Sequence, residues 1–305
     1  MALKKILVTG GTGLLGRALV ESCPDGFEIC ITHIRESSHH QVPFLTARMD
    51  VTEKKQVIEV FERTRPEVVI HMAGVGSVDF AEKNQSLAWT INVGGTQNVI
   101  EACRQFGVKL IYISSNAVFS GEHPPYKEES PRLPVNYYGR LKVEAENLVQ
   151  SNGLEYSIVR PILMYGWHYA EARPNPVTTW LHSLENHLPV KVVTDRFSQP
   201  LFVEDWAIAL WQIIDKNRTG VYHLSGSDRL SLYEFALQTA EIFCLEKGLL
   251  EGVPSSYFPE IAPRPVDTSF STLKAQAELQ IHFRGTLAGL RRMQATRPDW
   301  IEKNA

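Results

Sequence analysis

Three side chains carry the types and spacing needed for one piece of carbonyl chemistry: Ser115, Tyr138 and Lys142. Tyr138 and Lys142 stand four residues apart on a stretch with helical periodicity. Four residues of α-helix turn ~400° and advance ~6 Å, so the two side chains share one face. An ammonium close to a phenol favours the phenolate and lowers a pKa that is ordinarily near ~10. Such a tyrosine can give a proton to a carbonyl oxygen while hydride reaches the carbon. A hydroxyl at Ser115 could hydrogen-bond the same oxygen and hold charge as it develops.

These residues need a scaffold, and the first sixteen residues supply its start. Ile6-Leu7-Val8 is an apolar run without alternation, as expected of a strand buried on both faces. Gly10, Gly11, Gly13 and Gly16 follow, and then Leu14, Leu15, Ala18 and Leu19 at helical spacing. Strand, glycine turn and helix N-terminus form a phosphate site, because free N–H groups and the helix dipole point at the anion. Gly10 turns the chain, Gly13 admits a pyrophosphate, and Gly16 lets the helix pack close. Thr12, Leu14, Leu15 and Arg17 belong to the same expected dinucleotide site.

Further strands are expected over 27–32, 68–73, 109–114 and 156–160, and a further one over 220–224. Between them lie a helix capped by Thr52 and ending before Pro66, a long helical pattern through Ala88 to Ala102, and the helix 136–152 that carries Tyr138. Alternating strands and helices define an α/β, Rossmann-type doubly wound parallel sheet. Ligands of such sheets sit beyond the carboxyl ends of the strands, where Ser115 follows the fourth expected strand. Residues 1–160 are read as the dinucleotide-binding domain. Residues 161–305, richer in proline and tryptophan, are read as mainly a smaller substrate-binding region with some elements returning to the sheet. A capping box at Ser231–Glu234 opens a helix there, and two more helical patterns close the chain.

The net charge of −3 over 305 residues, without a Lys/Arg run, argues against nucleic acid as a partner. The longest uncharged apolar stretch, 68–78, falls far short of the ~20 residues that span a bilayer. The chain enters a buried strand directly after Met1-Ala2, which leaves no room for a leader. Cys23, Cys30, Cys103 and Cys244 lack C-x-x-C spacing and are expected as small buried residues of a reducing, cytoplasmic compartment. His39-His40 has no carboxylate or cysteine neighbour, so no metal is expected.

Several linked motifs carry a resemblance. Gly10-x-x-Gly13-x-x-Gly16, Asp50-Val51, Asn92-Val93-x-Gly95-Thr96, Ser114-Ser115, Tyr138-x-x-x-Lys142 and Arg160-Pro161-x-x-x-Tyr165-Gly166 occur in order. They resemble the extended short-chain dehydrogenase/reductases. Val78-Asp79-x-Ala81-Glu82, Asp195-Arg196-x-x-x-Pro200, Gly220–Gly226 and Pro263-Arg264-Pro265 are similar to the dTDP-4-dehydrorhamnose reductase group within them. The resemblance covers nearly the whole chain. It implies Ser115, Tyr138 and Lys142 as the catalytic group, and Asp50 and Val51 against the adenine. It further implies Ala73 and Gly74 along the cofactor, Lys142 on the nicotinamide ribose, and Ser77, Asn175 and Arg196 near a sugar nucleotide. Homodimers are common in that family. Three positions depart from its pattern: Asn116 where an aspartate is usual, Leu163 where a tryptophan is usual, and Arg196 where a glutamine is usual. Ser115 replaces a threonine and keeps the hydroxyl. The other three touch the substrate side, which leaves the sugar open.

An enzyme choosing NAD places Asp or Glu at the end of the second strand to hold the ribose hydroxyls. Here that strand ends Ile31-Thr32-His33-Ile34-Arg35, without a carboxylate. Arg17 and Arg35 could meet a 2′-phosphate instead, so NADP is expected ahead of NAD. The expected activity is reduction of a keto group on a nucleotide-activated sugar or a similar carbonyl compound. An epimerase or dehydratase on the same scaffold is the alternative within the enzymes, and Asn116-Ala117 lacks the acid pair that dehydratases use. A third reading is a non-catalytic, NADP-binding regulatory subunit, since a relative of this group partners methionine adenosyltransferase.

Overall fold

The computed structural model describes residues 3–34, 45–259 and 261–298. The first half alternates β1 (Lys4–Thr9), α1 (Leu14–Glu21), β2 (Phe27–His33), β3 (Leu45–Arg48), α2 (Lys54–Thr64) and β4 (Val68–His71). It continues with α3 (Val78–Lys83), α4 (Gln85–Trp89), α5 (Gly95–Phe106), β5 (Lys109–Ile113), α6 (Tyr137–Ser151) and β6 (Tyr156–Pro161). The second half contains β7 (Met164–Tyr165), α7 (Pro176–Glu185), β8 (Val190–Val193), β9 (Phe197–Ser198), β10 (Leu201–Phe202) and α8 (Val203–Asp215). After these come β11 (Gly220–Leu224), β12 (Leu230–Ser231), α9 (Leu232–Ile242), β13 (Leu250–Val253), α10 (Leu273–Leu279) and α11 (Thr286–Ala295).

Seven strands join in one sheet of order β3-β2-β1-β4-β5-β6-β11, and every neighbouring pair is parallel. The order reverses once, between β1 and β4, which opens a crevice at their carboxyl ends. Both faces of the sheet are covered. Ile6, Val8, Ile70 and Ile111 face a core shared with α1 and α8, where Trp206 is fully buried. Leu7, Val69, Leu110 and Ile158 face the opposite core with Phe61 of α2, Val99 of α5 and Val149 of α6. Burial on both faces is why these strands read as continuous apolar runs.

The second half has its own core around Tyr165, Trp180, Phe235, Leu290 and Met293, and it returns β11 to the edge of the sheet. Two expectations are corrected here. The long helical pattern is α4, a π-helical turn at Thr90–Gly94 and α5 in succession, with α3 set apart by Asn84. Thr52 caps nothing, because its hydroxyl donates to Asp50 Oδ1 at 2.7 Å and the helix begins after Glu53. Cys30 and Cys103 are buried as expected, whereas Cys244 is exposed.

Candidate active site

The glycine turn runs from β1 into α1 above the crevice. Gly10 has φ +69°, and a Cβ there would lie 2.7 Å from Ala73 Cα, so only glycine fits beside the end of β4. A Cβ at Gly16 would run into the Gly11 carbonyl, which is why α1 can start so close to the turn. Gly13 differs: a Cβ there meets nothing within 4 Å, because it faces open space. That space is a cleft of about 650 Å³ lined by Gly10, Thr12, Gly13, Val51, Ala73 and Gly74 among others. These six were expected from the sequence at a cofactor.

The neighbours of that set fall elsewhere. Leu14 and Leu15 pack inward against the core. Asp50 turns its carboxylate to the backbone N–H and hydroxyl of Thr52, at 2.9 and 2.7 Å. Arg17 donates to Glu21 at 2.7 Å and to the His168 carbonyl at 3.1 Å, and it lies outside the lining of the cleft. In this structure the Arg17 guanidinium is paired with Glu21, one turn along α1. Arg35, His39 and His40 lie outside the described residues.

A buried network fixes the floor. Thr9 Oγ1 accepts from the backbone N–H groups of Met72 and Ala73 at 3.2 and 3.1 Å and donates to His71 Nδ1 at 2.7 Å. His71 Nε2 in turn donates to Thr96 Oγ1 at 3.0 Å, and Thr96 donates to the Asn92 carbonyl at 2.6 Å. Burial, helped by the charge of Lys142, pushes His71 down to about 3, so the ring is neutral as this pattern requires. The π-helical turn aims the Asn92 side chain at the turn after β4, where it clamps Val75 through both backbone groups at 2.6 and 3.0 Å.

The catalytic group assembles at the ends of β5 and α6. Asn136 caps α6 by accepting from the Gly139 N–H at 2.9 Å. Gly139 has no room for a Cβ against the Ala117 carbonyl, so the helix start lies directly on the turn after β5. This seats Tyr138, at the start of α6, beside the turn that carries Ser115. The Ser115 hydroxyl accepts from Ala117 N–H and donates to Asn116 Oδ1, both at 3.2 Å. Lys142 Nζ donates to the Ile113 carbonyl at 2.8 Å and stands 5.9 Å from the centre of the Tyr138 ring. Burial lowers Lys142 to about 8, with Glu146 pulling the other way.

Tyr138 departs from the expected direction. Burial raises its phenol above the usual 10.0, opposed by Ser115 and by the charge of Arg173. The ammonium of Lys142 is engaged with Ile113 instead. The phenol is therefore held protonated at neutral pH, in the form a proton donor needs.

On the substrate side, Ser77 caps α3 by accepting from Phe80 N–H at 3.3 Å. Asn116 donates to Thr268 Oγ1 at 2.6 Å, tying the Ser115 turn to the second half. Leu163 is half-buried between the two cores. Asn175 is buried with both amide ends in use, accepting from Thr178 N–H at 3.4 Å and donating to the Gly166 carbonyl at 2.8 Å. Arg196 is half-buried beside β9.

Three features escaped the sequence reading. Thr32 and Met72 complete the cleft from the ends of β2 and β4. Glu171, Ala172 and Arg173 line it from the segment between β7 and α7. Under the catalytic group, Glu146 is fully buried and accepts from Ser114 at 2.5 Å, from Arg160 at 2.8 and 2.7 Å, and from Arg132 at 3.0 Å. Burial pushes this carboxyl up, but Arg160, Ser114 and Arg132 outweigh it and hold it below the usual value. Only the four-residue spacing from Lys142 could have hinted at Glu146.

The residues present fit a dinucleotide. Open space at Gly13, free N–H groups at the start of α1 and a crevice at the sheet's reversal are the parts such a ligand uses. Thr32, His33 and Ile34 line the cleft at the end of β2, which carries no carboxylate, and Glu171 lines it from the segment between β7 and α7. Fold and site together define a dinucleotide-binding, doubly wound α/β protein with a Ser-Tyr-Lys group between the end of β5 and α6. Residues 4–297 match the model of the RmlD substrate binding domain family, and the chain belongs to that family. It is 30% identical over 287 residues to dTDP-4-dehydrorhamnose reductase of Aggregatibacter actinomycetemcomitans, covering 89% of this chain and 92% of that one. It is 29% identical to methionine adenosyltransferase 2 subunit beta of Xenopus laevis, covering 86% and 77%. The crystal structure of dTDP-4-dehydrorhamnose reductase from Bacillus anthracis in complex with NADP superposes with a TM-score of 0.87. It is 28% identical, and the match covers 97% of this chain and all of that one.

Proposed function

We propose that this protein is an NADP-dependent reductase acting on a keto group of a nucleotide-activated sugar or a similar carbonyl compound. The observation that carries the reading is the gathering of Ser115, Tyr138 and Lys142 where the carboxyl end of β5 meets the start of α6, on the strand next to β4 in the sheet. When bound, the dinucleotide supplies hydride to the carbonyl carbon. Tyr138, held protonated by burial, donates its proton to the carbonyl oxygen. Ser115, whose hydroxyl donates to Asn116 Oδ1 in this structure, would turn that proton to the carbonyl oxygen as negative charge develops. Lys142, anchored on the Ile113 carbonyl, would hold the ribose and stabilise the tyrosinate left behind. Asp50 and Val51 would flank the adenine, and Ser77, Leu163 and Arg196 would approach the sugar nucleotide.

The test is NADPH oxidation against a panel of keto sugar nucleotides, with nucleotide-free keto sugars alongside. Oxidation that depends on the nucleotide-linked carbonyl supports the proposal. The likeness to methionine adenosyltransferase 2 subunit beta favours a second reading, a regulatory cofactor-binding subunit. Tight NADPH binding without oxidation on any carbonyl would select it. The first reading extends to a cytoplasmic enzyme working as a homodimer, which sedimentation tests. Among the described residues no helix is long and apolar enough to cross a membrane.

A further inference from the structure

The segment between β7 and α7 lines the cleft through Glu171, Ala172 and Arg173 and is tied down at several points. Asn175 holds the Gly166 carbonyl at 2.8 Å, Arg17 holds the His168 carbonyl at 3.1 Å, and Ala172 N–H donates to the Tyr169 carbonyl at 2.9 Å. His168 spans the same stretch, donating from Nδ1 to the Tyr169 carbonyl at 2.7 Å with Nε2 lying 3.1 Å from Thr178 Oγ1. A segment fixed in this way presents a defined set of side chains to the space beneath it. Arg173 is one of them, and it lines the same cleft as Gly10 and Gly13, with Glu171 as the cleft's carboxylate.

The charges around the cleft leave this guanidinium an obvious use. The glycine turn offers neutral N–H groups, whereas a pyrophosphate carries charge on both phosphates. Arg17 is turned to Glu21, and Lys142 is buried on Ile113. Among the described residues that line the cleft, Arg173 is the arginine or lysine. Its charge also acts on the Tyr138 phenol, opposing the upward push of burial. Guanidinium is suited to two-pronged hydrogen bonding of a phosphate.

Resting on the reductase reading, we propose that Arg173 binds a pyrophosphate in the cleft and so sets affinity for the nucleotide held there. The pyrophosphate could belong to the dinucleotide or to the sugar nucleotide. The chemistry is shared, and the experiment separates the sources.

Dissociation constants of the full chain are measured by calorimetry for NADPH, for adenosine 2′-monophosphate, which lacks a pyrophosphate, and for dTDP. Wild type is compared with Arg173→Ala and Arg173→Lys. Losing a charge-assisted hydrogen-bonding group from an exposed loop should weaken the pyrophosphate ligand about 10- to 100-fold. Lysine should restore part of this, and adenosine 2′-monophosphate should bind unchanged. Weakening confined to NADPH assigns the dinucleotide as the source, and weakening confined to dTDP assigns the sugar nucleotide. Equal affinities for both in wild type and Arg173→Ala overturn the proposal while leaving the reductase reading intact. Equal weakening of all three ligands also overturns it, since that reports a general disturbance. A wild-type chain that binds neither NADPH nor dTDP overturns both.

Discussion

Arg160 grips Glu146 with two nearly parallel bonds, Nε to Oε1 at 2.8 Å and Nη2 to Oε2 at 2.7 Å, and neither side chain reaches solvent. The pair ties β6 to α6 directly beneath Lys142, and Ser114 joins it from the end of β5. Arg160 also donates to the Glu128 carbonyl at 3.0 Å and meets His223 Nε2 at 3.2 Å. Removing Arg160 leaves the buried Glu146 carboxylate with only Arg132 and Ser114 as partners, which costs about 3–5 kcal/mol. Arg160→Leu should therefore lower unfolding stability by that amount in urea titration. A change under about 1 kcal/mol would show that the pair contributes little.

The ammonium of Lys142 predicts a pH profile. Burial brings it down to about 8 and Glu146 holds it up against that push. Its charge is present below that pH and is lost above it. In the free enzyme kcat/KM should then fall through about pH 8 on the alkaline side. Tyr138, held above 10.0, adds no limb below that value. Glu146→Gln removes the supporting negative charge and should move the fall to lower pH. A profile that stays flat or moves to higher pH in this variant contradicts the electrostatic role given to Glu146.

Two glycines three residues apart should behave oppositely. A Cβ at Gly16 collides with the Gly11 carbonyl, so Gly16→Ala should lose about 1–3 kcal/mol of stability. Gly13 has φ −101° and open space around it, so Gly13→Ala should keep stability within about 0.5 kcal/mol. The added methyl nevertheless intrudes where a phosphate approaches, and NADPH should bind about tenfold more weakly. Thermal melts with and without NADPH check both.

Much of this architecture was legible because physics leaves a mark on sequence. Strands buried on both faces read as apolar runs, and glycine turns declare themselves where a Cβ has no room. The edge strand Leu45–Arg48 left little mark, since only Ala47 of its residues is buried. Helix α8 was hidden by the opposite excess: nine of its thirteen residues are buried, so apolar positions show no stripe. Within the site, Tyr138 and Lys142 announced a shared helix face, but the direction of the phenol's shift depends on burial and on Arg173, which the sequence places 35 residues away. The Asn175 amide caps α7 and holds the Gly166 carbonyl, two contacts that its spacing does not reveal. Arg173 itself sits in a polar loop beside prolines, where nothing in the spacing marks it out.

The account stands most directly on the proton held by Tyr138. Single-turnover oxidation of bound NADPH by a keto sugar nucleotide should be compared between wild type and Tyr138→Phe. Phenylalanine keeps the ring and removes only the hydroxyl, so cofactor affinity should be unchanged while the rate falls by roughly 10²–10⁴. A Tyr138→Phe enzyme that turns over at near wild-type rate would contradict the assignment.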